Sequence, residues 1–490
     1  MTSPLINRDA EQSALRRLAG SGRPHLALLT GRRRVGKTYL LTHTWGERAS
    51  FYFTASKTTP EVNRRQLVED LAAWSGEDLR PEDYPTWRAV FNLLMDLRLP
   101  SRGRGGPDPL VVVLDEFQYL GDGDAGASEV ASELNAAWER RRPERPFLMV
   151  LSGSAVGTME ALAGGGGPLY GRFSWHGRLR PFGYWHAGEM APFADLRERV
   201  LAYGVFGGTP RYLAAVDADR PLAENAAELL LDPKGEVRLL VETALEQEEG
   251  LRDVSKYRAI LQAVASGRTT RNEVAQGAGL ANDRALRDKL ERLTELGYVE
   301  TRGNLDAGPS AAIRYGVADA AFRFYERFVA PSRSALERVP AGQVWDEAVA
   351  PALDRYMGHE FERVAVEAYD RKASALGLPT VSEWGRWEGV DRDRQPVELD
   401  VVARLLGGGV LTGEVKWNRE LVGAGVHEAH IDKLSRMAAS GRGWAHEALE
   451  EGAPLLYVAA GGFAEGFREV AEADGHTVTC WSLEDVYAST

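Results

Sequence analysis

A loop suited to holding phosphate groups lies near the start of the 490-residue chain. A strand-like run from His25 to Thr30 leads into GRRRVGKT, Gly31 to Thr38, and a helical pattern follows. Glycines let the backbone turn its N–H groups toward phosphate oxygens, and the start of a helix adds its positive dipole end. Lys37 would neutralise the outer phosphates, and Thr38 would hold Mg²⁺. The candidate nucleotide contacts are Gly31, Arg34, Val35, Gly36, Lys37 and Thr38.

Acidic residues at the end of a second strand could complete this site. The apolar run that begins at Leu110 ends in Asp115 and Glu116. Asp115 would orient hydrated Mg²⁺, and Glu116 would polarise an attacking water, as nucleotide hydrolysis requires. A further buried strand, FLMVLSGS, ends in Ser152 and Ser154, and either hydroxyl could contact a γ-phosphate. The sequence therefore predicts binding and hydrolysis of ATP with Mg²⁺.

A second set of charges lies in strand-like runs near the carboxyl end. Asp400 falls in QPVELDVVARL, and Glu414 and Lys416 fall in GVLTGEVKW, where alternation puts both on one face. Asp400 and Glu414 would hold Mg²⁺, which prefers oxygen ligands, and Glu362 from a preceding helix could add a carboxylate. Lys416 would orient or deprotonate the attacking water. The alternative is a group of edge-strand charges that protects against aggregation.

The elements that position these residues can be read from the hydrophobic pattern. Alternating strands and helices in the first third predict a doubly wound α/β nucleotide-binding core. From Trp345 to about Ala368 a helix is expected, followed by two strands, a helix from about Glu428 to Ser440 and the strand PLLYVAA. That order is typical of the restriction-endonuclease-like fold.

Between these parts, from Val254, three short amphipathic helices are followed by GYVETR and IRYGVAD, with GNLDAGPSA as a hairpin tip. This pattern predicts a winged helix-turn-helix. Its third helix would present basic residues to duplex DNA, although many winged helices contact proteins instead. The candidate DNA contacts are Arg284, Arg287 and Lys289, with Arg292 as a further candidate.

Composition limits the partners. A net charge of -12 disfavours attraction of the whole protein to nucleic acid, so any such surface must be local. Residues 254–302 form a locally basic segment, with nine Lys or Arg against six Asp or Glu. No apolar run approaches the ~18 residues of a membrane span. The start of the chain has no signal-peptide pattern, and the single cysteine, Cys480, favours a reducing compartment. We expect a cytoplasmic protein without a membrane segment.

Several motifs together resemble the archaeal-type ATPases, AAA+-like P-loop proteins related to the STAND class. They are INRDAEQSALRRL, GRRRVGKT, VVVLDEFQYL, LSGS, PLYGRF and GGTPRYL. The resemblance implies that Arg172 is an arginine finger or sensor, with a surface salt bridge as the alternative, and that Arg211 lies in a helical lid near the nucleotide. It also implies a carboxy-terminal PD-(D/E)XK nuclease-like domain. Asp400, in ELD, corresponds to the first part of that signature, and Glu414 and Lys416 correspond to the second part, ExK.

The expected organisation is an α/β multidomain protein with four parts. They are a P-loop ATPase core (1–185), a helical lid (186–245), a winged helix-turn-helix (246–330) and a PD-(D/E)XK nuclease-like, restriction-endonuclease-like domain (331–490). The leading hypothesis is a DNA-associated ATPase with a Mg²⁺-dependent nuclease-like domain. The alternatives are a nucleotide-gated switch that binds without cutting and a STAND-like signalling ATPase with a protein partner. Assembly into a homo-oligomer stays open.

Overall fold

The computed structural model of the protein describes residues 6–45, 50–97, 110–141, 146–248, 251–305 and 313–489. The chain forms two compact units. The first comprises residues 1–181 and 246–252, and the second comprises 182–245 and 253–490. The segment predicted as a helical lid thus shares a unit with the carboxy-terminal part. The four-part division remains a prediction.

The first unit is built on a five-stranded parallel sheet of order β2-β3-β4-β1-β5. Its strands are β1 (Pro24–Thr30), β2 (Ser50–Thr54), β3 (Leu110–Asp115), β4 (Phe147–Gly153) and β5 (Trp175–Arg178). Its helices are α1 (Asp9–Ala19), α2 (Lys37–Thr44), α3 (Pro60–Ser75), α4 (Trp87–Asp96), α5 (Gly123–Trp138) and α6 (Val156–Ala163), with 3-10 turns at Pro81–Asp83 and Phe117–Leu120.

Both faces of this sheet are covered, which explains the unbroken apolar runs of its strands. Along β1, Leu26 and Leu28 pack into the core on one face, whereas Ala27 and Leu29 pack into the core on the other. Parallel strands place their carboxyl ends at one edge, so the residues after β1, β3 and β4 meet there. The predicted α/β fold with a parallel sheet is confirmed.

The second unit begins with helices. They are α7 (Tyr184–Met190), α8 (Leu196–Phe206), α9 (Pro210–Leu213), α10 (Leu222–Ala226) and α11 (Glu236–Ala244), with a π-helical turn at Ala227–Leu231. The Asp195 side chain caps α8 by accepting hydrogen bonds from the backbone N–H groups of Arg197 and Glu198. Such caps satisfy donors that have no partner within the helix.

Three helices and a hairpin follow, as the amphipathic pattern predicts. They are α12 (Val254–Ala265), α13 (Arg271–Ala278), α14 (Arg284–Glu295) and the antiparallel pair β6 (Val299–Arg302) and β7 (Arg314–Val317). Thr270 and Glu273 form a capping box at the start of α13, and Asp283 caps α14. The predicted hairpin tip falls largely on residues 306–312, which lie outside the described residues.

A long helix leads into the last sheet. The helices before the sheet are α15 (Ala320–Phe324), α16 (Arg333–Leu336), α17 (Ala341–Val344) and α18 (Ala350–Leu376), with π-helical turns at Tyr325–Val329 and Trp345–Val349. The structure thus continues this helix eight residues beyond Ala368 and ends it on Gly377, whose φ of 67° is left-handed. Glycine takes that conformation without a Cβ penalty.

The last sheet is mixed and has the order β12-β11-β10-β9-β8. Its strands are β8 (Val381–Val390), β9 (Pro396–Leu405), β10 (Val410–Lys416), β11 (Pro454–Ala459) and β12 (Thr477–Trp481). The pairs β8·β9 and β9·β10 are antiparallel, and β10·β11 and β11·β12 are parallel. Helices α19 (Gly425–Ala439), α20 (Gly443–Ala448), α21 (Phe467–Ala473) and α22 (Leu483–Tyr487) complete the unit.

No helix within the described ranges is long and apolar enough to cross a lipid bilayer.

Candidate nucleotide and metal sites

The loop between β1 and α2 has the backbone geometry of a phosphate cradle. Gly31 and Gly36 have φ values of 153° and 94°, which favour glycine, and Arg34 is also left-handed with a φ of 71°. Helix α2 starts at Lys37 behind Gly36, with no side chain capping it. Its first N–H groups are therefore available to an anion, as they are at the N-terminus of any uncapped helix.

Lys37 folds back over this loop. Its ammonium group is buried and donates hydrogen bonds to the carbonyl oxygens of Gly31 at 2.8 Å and Arg32 at 3.1 Å. Burial lowers the pKa of Lys37, and the nearby carboxylates of Glu116, Asp115 and Glu248 act in the opposite direction. The ammonium group is thus held at the cradle by the loop itself.

Thr38 and Asp115 meet at the end of β3. The Thr38 hydroxyl donates a hydrogen bond to Asp115 Oδ2 at 2.9 Å, and the Glu116 N–H donates to Asp115 Oδ1 at 3.0 Å. Tyr52 on β2 donates its hydroxyl to Asp115 Oδ2 as well, at 2.5 Å. Burial raises the pKa of Tyr52, and the Asp115 carboxylate raises it further. Sequence reasoning missed Tyr52.

Glu116 is turned toward the end of β4. Its Oε2 accepts hydrogen bonds from the Ser154 hydroxyl at 2.7 Å, the Ser154 N–H at 3.1 Å and Gln118 Nε2 at 2.5 Å. Glu116 itself has a left-handed φ of 53°, an uncommon conformation for a residue with a side chain. Ser152 Oγ, by contrast, is buried with no hydrogen-bond partner among the described residues. Of the two candidate serines, Ser154 is therefore the one that contacts Glu116.

The other predicted contacts of the first unit lie as follows. Val35 is buried in the core beside the loop, at 1% exposure. Arg34 donates to Gln247 Oε1 at 2.6 Å. Arg172 donates to Asn135 Oδ1 at 3.0 Å and pairs with Glu139 at 2.5 Å, so in this structure its partners are on α5 and at its C-cap. In the second unit, Arg211 pairs with Glu236.

The residues of the loop fit a nucleoside triphosphate and Mg²⁺. The uncapped start of α2 offers N–H donors, Lys37 offers the cation, and Thr38 and Asp115 offer adjacent oxygens of the kind that Mg²⁺ binds. A cavity of about 660 Å³ in the same unit is lined by Arg33, Gln118 and Glu248, among others. These observations support a nucleotide site on this edge of the sheet.

The three charges of the last sheet also converge. Asp400 lies on β9, and Glu414 and Lys416 lie on the antiparallel neighbour β10. The Lys416 ammonium group donates to Glu414 Oε2 at 2.5 Å and to Asp400 Oδ2 at 3.1 Å. Asp400 also accepts a hydrogen bond from the Val415 N–H at 2.9 Å. The two carboxylates therefore converge on a single positive charge.

Helix α19 supplies further groups that sequence reasoning missed. His430 Nδ1 lies 3.2 Å from Glu414 Oε1, and Lys433 Nζ donates to the same oxygen at 2.7 Å. The other nitrogen of His430 contacts the Thr412 hydroxyl at 3.0 Å. His430 and Lys433 are three residues apart and so share a helix face, which is the signal that the sequence offered.

Protonation of this site is set by burial and by charge. Burial raises the pKa of Asp400 to about 6, and the nearby Glu414 carboxylate adds to the effect. Burial acts to raise the pKa of Glu414 too, but hydrogen bonds from His430 and the charge of Lys416 outweigh it and hold this pKa well below its ordinary value. Glu414 is thus the carboxylate that stays ionised.

Glu362 on α18 lines a cavity together with Asp400. Its carboxylate is 3.1 Å from His359 Nδ1 and acts to raise the pKa of Asp400. Within the described residues, no three His, Cys, Asp or Glu side chains are arranged to hold a metal ion. Mg²⁺ commonly takes only one or two carboxylates and keeps several waters, so the pair Asp400 and Glu414 fits it.

The basic residues of α14 are largely balanced by acids of the same helix. Arg284 pairs with Asp288 at 3.8 Å and Arg287 with Glu291 at 3.5 Å, and their side chains are 84% and 50% exposed. Lys289 Nζ lies 5.7 Å from the centre of the Tyr257 ring, and Arg292 pairs with Glu295 at 3.1 Å. The helix therefore presents Arg284 and Arg287 to solvent, each beside an acid.

The fold and the first site define a class of protein. A phosphate-binding loop after β1 and an acidic pair after β3 of a parallel sheet are the features of a P-loop nucleotide-binding domain. Residues 5–216 match a family described as an ATPase domain predominantly from Archaea. Residues 325–431 match a second family, described as archaeal and bacterial proteins of unknown function. Residues 5–216 therefore resemble a P-loop ATPase domain, and this match supports ATP binding and hydrolysis.

Proteins from three archaea are similar to this chain. The uncharacterized protein MJECL04 of Methanocaldococcus jannaschii is 25% identical over 389 residues, which are 78% of this chain and 81% of that protein. The Walker-type ATPase PABY2304 of Pyrococcus abyssi is 20% identical with a TM-score of 0.45, over 66% of this chain and 96% of that one. The ORC2 protein of Aeropyrum pernix, in ADPNP and ADP complexes, is 15% identical with a TM-score of 0.43, over 69% and 96%.

Proposed function

We propose that this protein hydrolyses ATP with Mg²⁺ and acts on DNA, through a winged helix formed by α12, α13, α14 and the β6·β7 hairpin and through a Mg²⁺-dependent nuclease-like domain. The proposed ATPase activity is supported by the match of residues 5–216 to an ATPase-domain family. The DNA-cleaving half depends on one observation, the convergence of Asp400 and Glu414 on the Lys416 ammonium group.

In the ATPase site, each residue has a role that follows from its position. The N–H groups of the loop and the Lys37 ammonium group would stabilise the negative charge of the outer phosphates. Thr38 and Asp115 would hold Mg²⁺, which supplies charge neutralisation when bound. Glu116 would polarise the attacking water. Ser154 and Gln118 keep its Oε2 oriented, because they donate three hydrogen bonds to that one atom.

In the second site, Asp400 and Glu414 would hold Mg²⁺, which supplies electrophilic stabilisation of the cleaved phosphate when bound. Lys416 would orient the attacking water, since its ammonium group lies against both carboxylates. His430 and Lys433 would fix Glu414 from the side of α19. Glu362 would contribute charge from α18.

Cleavage can be tested with supercoiled plasmid and linear duplex, each incubated with Mg²⁺ in the presence and absence of ATP. We expect nicking or cleavage by the wild type and at least a 100-fold loss in Glu414→Ala, since both the metal ligand and the partner of Lys416 are removed. Glu428→Ala, an exposed acid on α19, serves as the matched control. Cleavage that persists in both Glu414→Ala and Lys416→Ala would refute the site.

A second candidate function is a nucleotide-gated switch that binds DNA or a protein without cutting. It is favoured by the acids beside Arg284 and Arg287, which weaken the attraction of α14 to phosphate. If the protein is such a switch, it changes the gel mobility of a duplex or of a partner protein in a nucleotide-dependent way. It leaves DNA intact with Mg²⁺ or Mn²⁺. Loss of the duplex shift in Arg284→Ala/Arg287→Ala would assign that binding to α14. No shift of duplex at low salt would favour a STAND-like signalling ATPase.

A further inference from the structure

A small cavity opens beside the proposed cleavage site. It has a volume of about 320 Å³ and is lined by Asp400 and by residues of α18 and β8. Its remaining wall comes from the β6 hairpin, through Glu300, Thr301 and Gly303. Part of the proposed winged helix therefore forms a side of the proposed nuclease site.

The hairpin that forms this wall is hydrogen-bonded to the last sheet and packs against it. The side chain of Asn304 donates to the Glu388 carbonyl oxygen at 2.9 Å and accepts from the Glu388 N–H at 3.1 Å. Leu305 is 1% exposed and packs in the core beside Trp387. Glu300 is paired with Arg363 of α18 at 2.7 Å. A ligand that pushed the hairpin aside would have to break all of these contacts, so the cavity limits what can reach Asp400.

The cavity has the size of a small-molecule site. Its volume of about 320 Å³ lies at the lower end of the range of roughly 300–1,000 Å³ that such sites occupy. One nucleotide fits a space of this size, but a base pair with two backbones does not. To reach Asp400 through this cavity, duplex DNA would therefore have to present an unpaired nucleotide.

Trp384 could stack against a base in this cavity. Trp384 on β8 lines the cavity and is half-buried. Its indole N–H donates to Asp370 Oδ1 at 2.9 Å, and its ring meets the Tyr369 ring edge-on, with centroids 5.4 Å apart. The indole is thus fixed in place before any ligand binds. Fixed aromatic rings are the stacking platforms on which proteins hold single-stranded nucleic acid.

The charges of the wall are compatible with a phosphate once a divalent cation offsets its free acids. Glu300 is neutralised by Arg363, and Glu367 accepts hydrogen bonds from the Tyr203 hydroxyl at 3.0 Å and the Tyr184 N–H at 2.9 Å. The acids that remain are Asp400 and Glu362, which belong to the proposed metal site.

We propose that this cavity binds one unpaired nucleotide of a single-stranded nucleic acid, with its base stacked on Trp384 and its phosphate toward Asp400. The substrate of the carboxy-terminal domain is then a single strand, a strand end or a nucleotide flipped out of a duplex. This inference rests on the proposed function for the identity of the site, but the binding it describes does not require cleavage.

The test uses the full chain with Ca²⁺ in place of Mg²⁺, the metal that the proposed cleavage requires, so that the charges of Asp400 and Glu362 are offset while binding is measured. Fluorescence anisotropy is recorded with labelled oligothymidylate, oligouridylate and a blunt hairpin duplex, for wild type, Trp384→Ala and Trp384→Phe. Glu383→Ala, the exposed neighbour on β8, is the matched control. We expect Trp384→Ala to weaken single-strand binding about tenfold, because stacking of one base is lost, and Trp384→Phe to stay within about threefold of wild type. A 5-iodouracil-substituted strand is expected to cross-link to the peptide that contains Trp384.

Two results would overturn the inference. One is equal single-strand affinity of wild type and Trp384→Ala when thermal melting shows both to be folded. The other is cleavage of intact, covalently closed duplex with Mg²⁺ at a rate that is the same in wild type and Trp384→Ala. That result would contradict the nucleotide cavity but support the proposed nuclease activity. Single-strand binding that depends on Trp384, without cleavage of any substrate by Mg²⁺-loaded protein, would refute the nuclease and support the nucleotide cavity. Comparison of the thymidylate and uridylate strands tells whether the ligand is DNA or RNA.

Discussion

The Tyr52 hydroxyl donates a hydrogen bond of 2.5 Å to Asp115 Oδ2, the same oxygen that accepts from Thr38. The two residues lie on neighbouring parallel strands, where Thr54 is the register partner of Asp115. Tyr52 therefore orients the carboxylate that we assign to Mg²⁺. Loss of a hydrogen-bond partner of a metal ligand commonly lowers metal affinity or activity by about 10- to 100-fold.

Tyr52→Phe removes this hydrogen bond and leaves the aromatic ring. We expect the Mg²⁺ concentration for half-maximal ATPase activity to rise about tenfold, because Asp115 is no longer held in one orientation. The rate at saturating Mg²⁺ should change much less. Magnesium titrations of the steady-state ATPase rate measure both, with Tyr170→Phe, whose side chain is 66% exposed, as the control. An unchanged magnesium requirement would show that Tyr52 serves packing alone.

Glu116→Gln keeps the shape of the side chain but removes the charge that polarises water. We expect hydrolysis to fall by roughly 100-fold or more, the usual contribution of a general base, while ATP binding persists. Phosphate release and equilibrium binding are measured on the same preparation, with the exposed Glu129→Gln as the control. Hydrolysis at the wild-type rate in Glu116→Gln would remove this residue from the mechanism.

Glu326 makes the second unit sensitive to pH. It lies in the π-helical turn Tyr325–Val329, is 8% exposed, and burial raises its pKa to about 7. The folded protein thus binds a proton that the unfolded chain releases at lower pH, so stability falls as pH rises from about 4.5 through 7. The cost above pH 7 is on the order of 3 kcal/mol.

Glu326→Gln should therefore melt at a higher temperature than wild type at pH 8 and at nearly the same temperature at pH 4.5. Calorimetric melting across this range measures the difference, with the exposed Glu337→Gln as the control. Parallel pH curves for wild type and Glu326→Gln would contradict the assignment.

The sequence predicts local features well and contacts between elements poorly. GRRRVGKT and the acids after LVVVL are local, because a strand, a tight turn and a helix start fix their geometry. The contact of Tyr52 with Asp115 depends on which strands are neighbours, and adjacent residues of the sequence do not specify that. The contact follows from the strand order β2-β3-β4-β1-β5, which makes β2 and β3 neighbours.

The carboxy-terminal site shows the same limit. The positions of Asp400, Glu414 and Lys416 could be predicted from strand alternation, but the approach of Lys433 could not, because it requires the rotation of α19 against β10. Strand β8 was missed because its residues are mostly exposed or half-buried and show no clear alternation. Trp384 and the cavity beside it could therefore not be predicted from the sequence.

The proposed ATPase activity requires a triphosphate bound by the loop from Gly31 to Thr38. Isothermal titration of ATP into wild type and Lys37→Ala, with Mg²⁺ present, tests it most directly. We expect one nucleotide per chain bound by the wild type and a loss of affinity of at least 100-fold in Lys37→Ala, because the buried cation at the cradle is removed. No binding by the wild type at millimolar ATP, or equal affinity of the two proteins, would contradict the account.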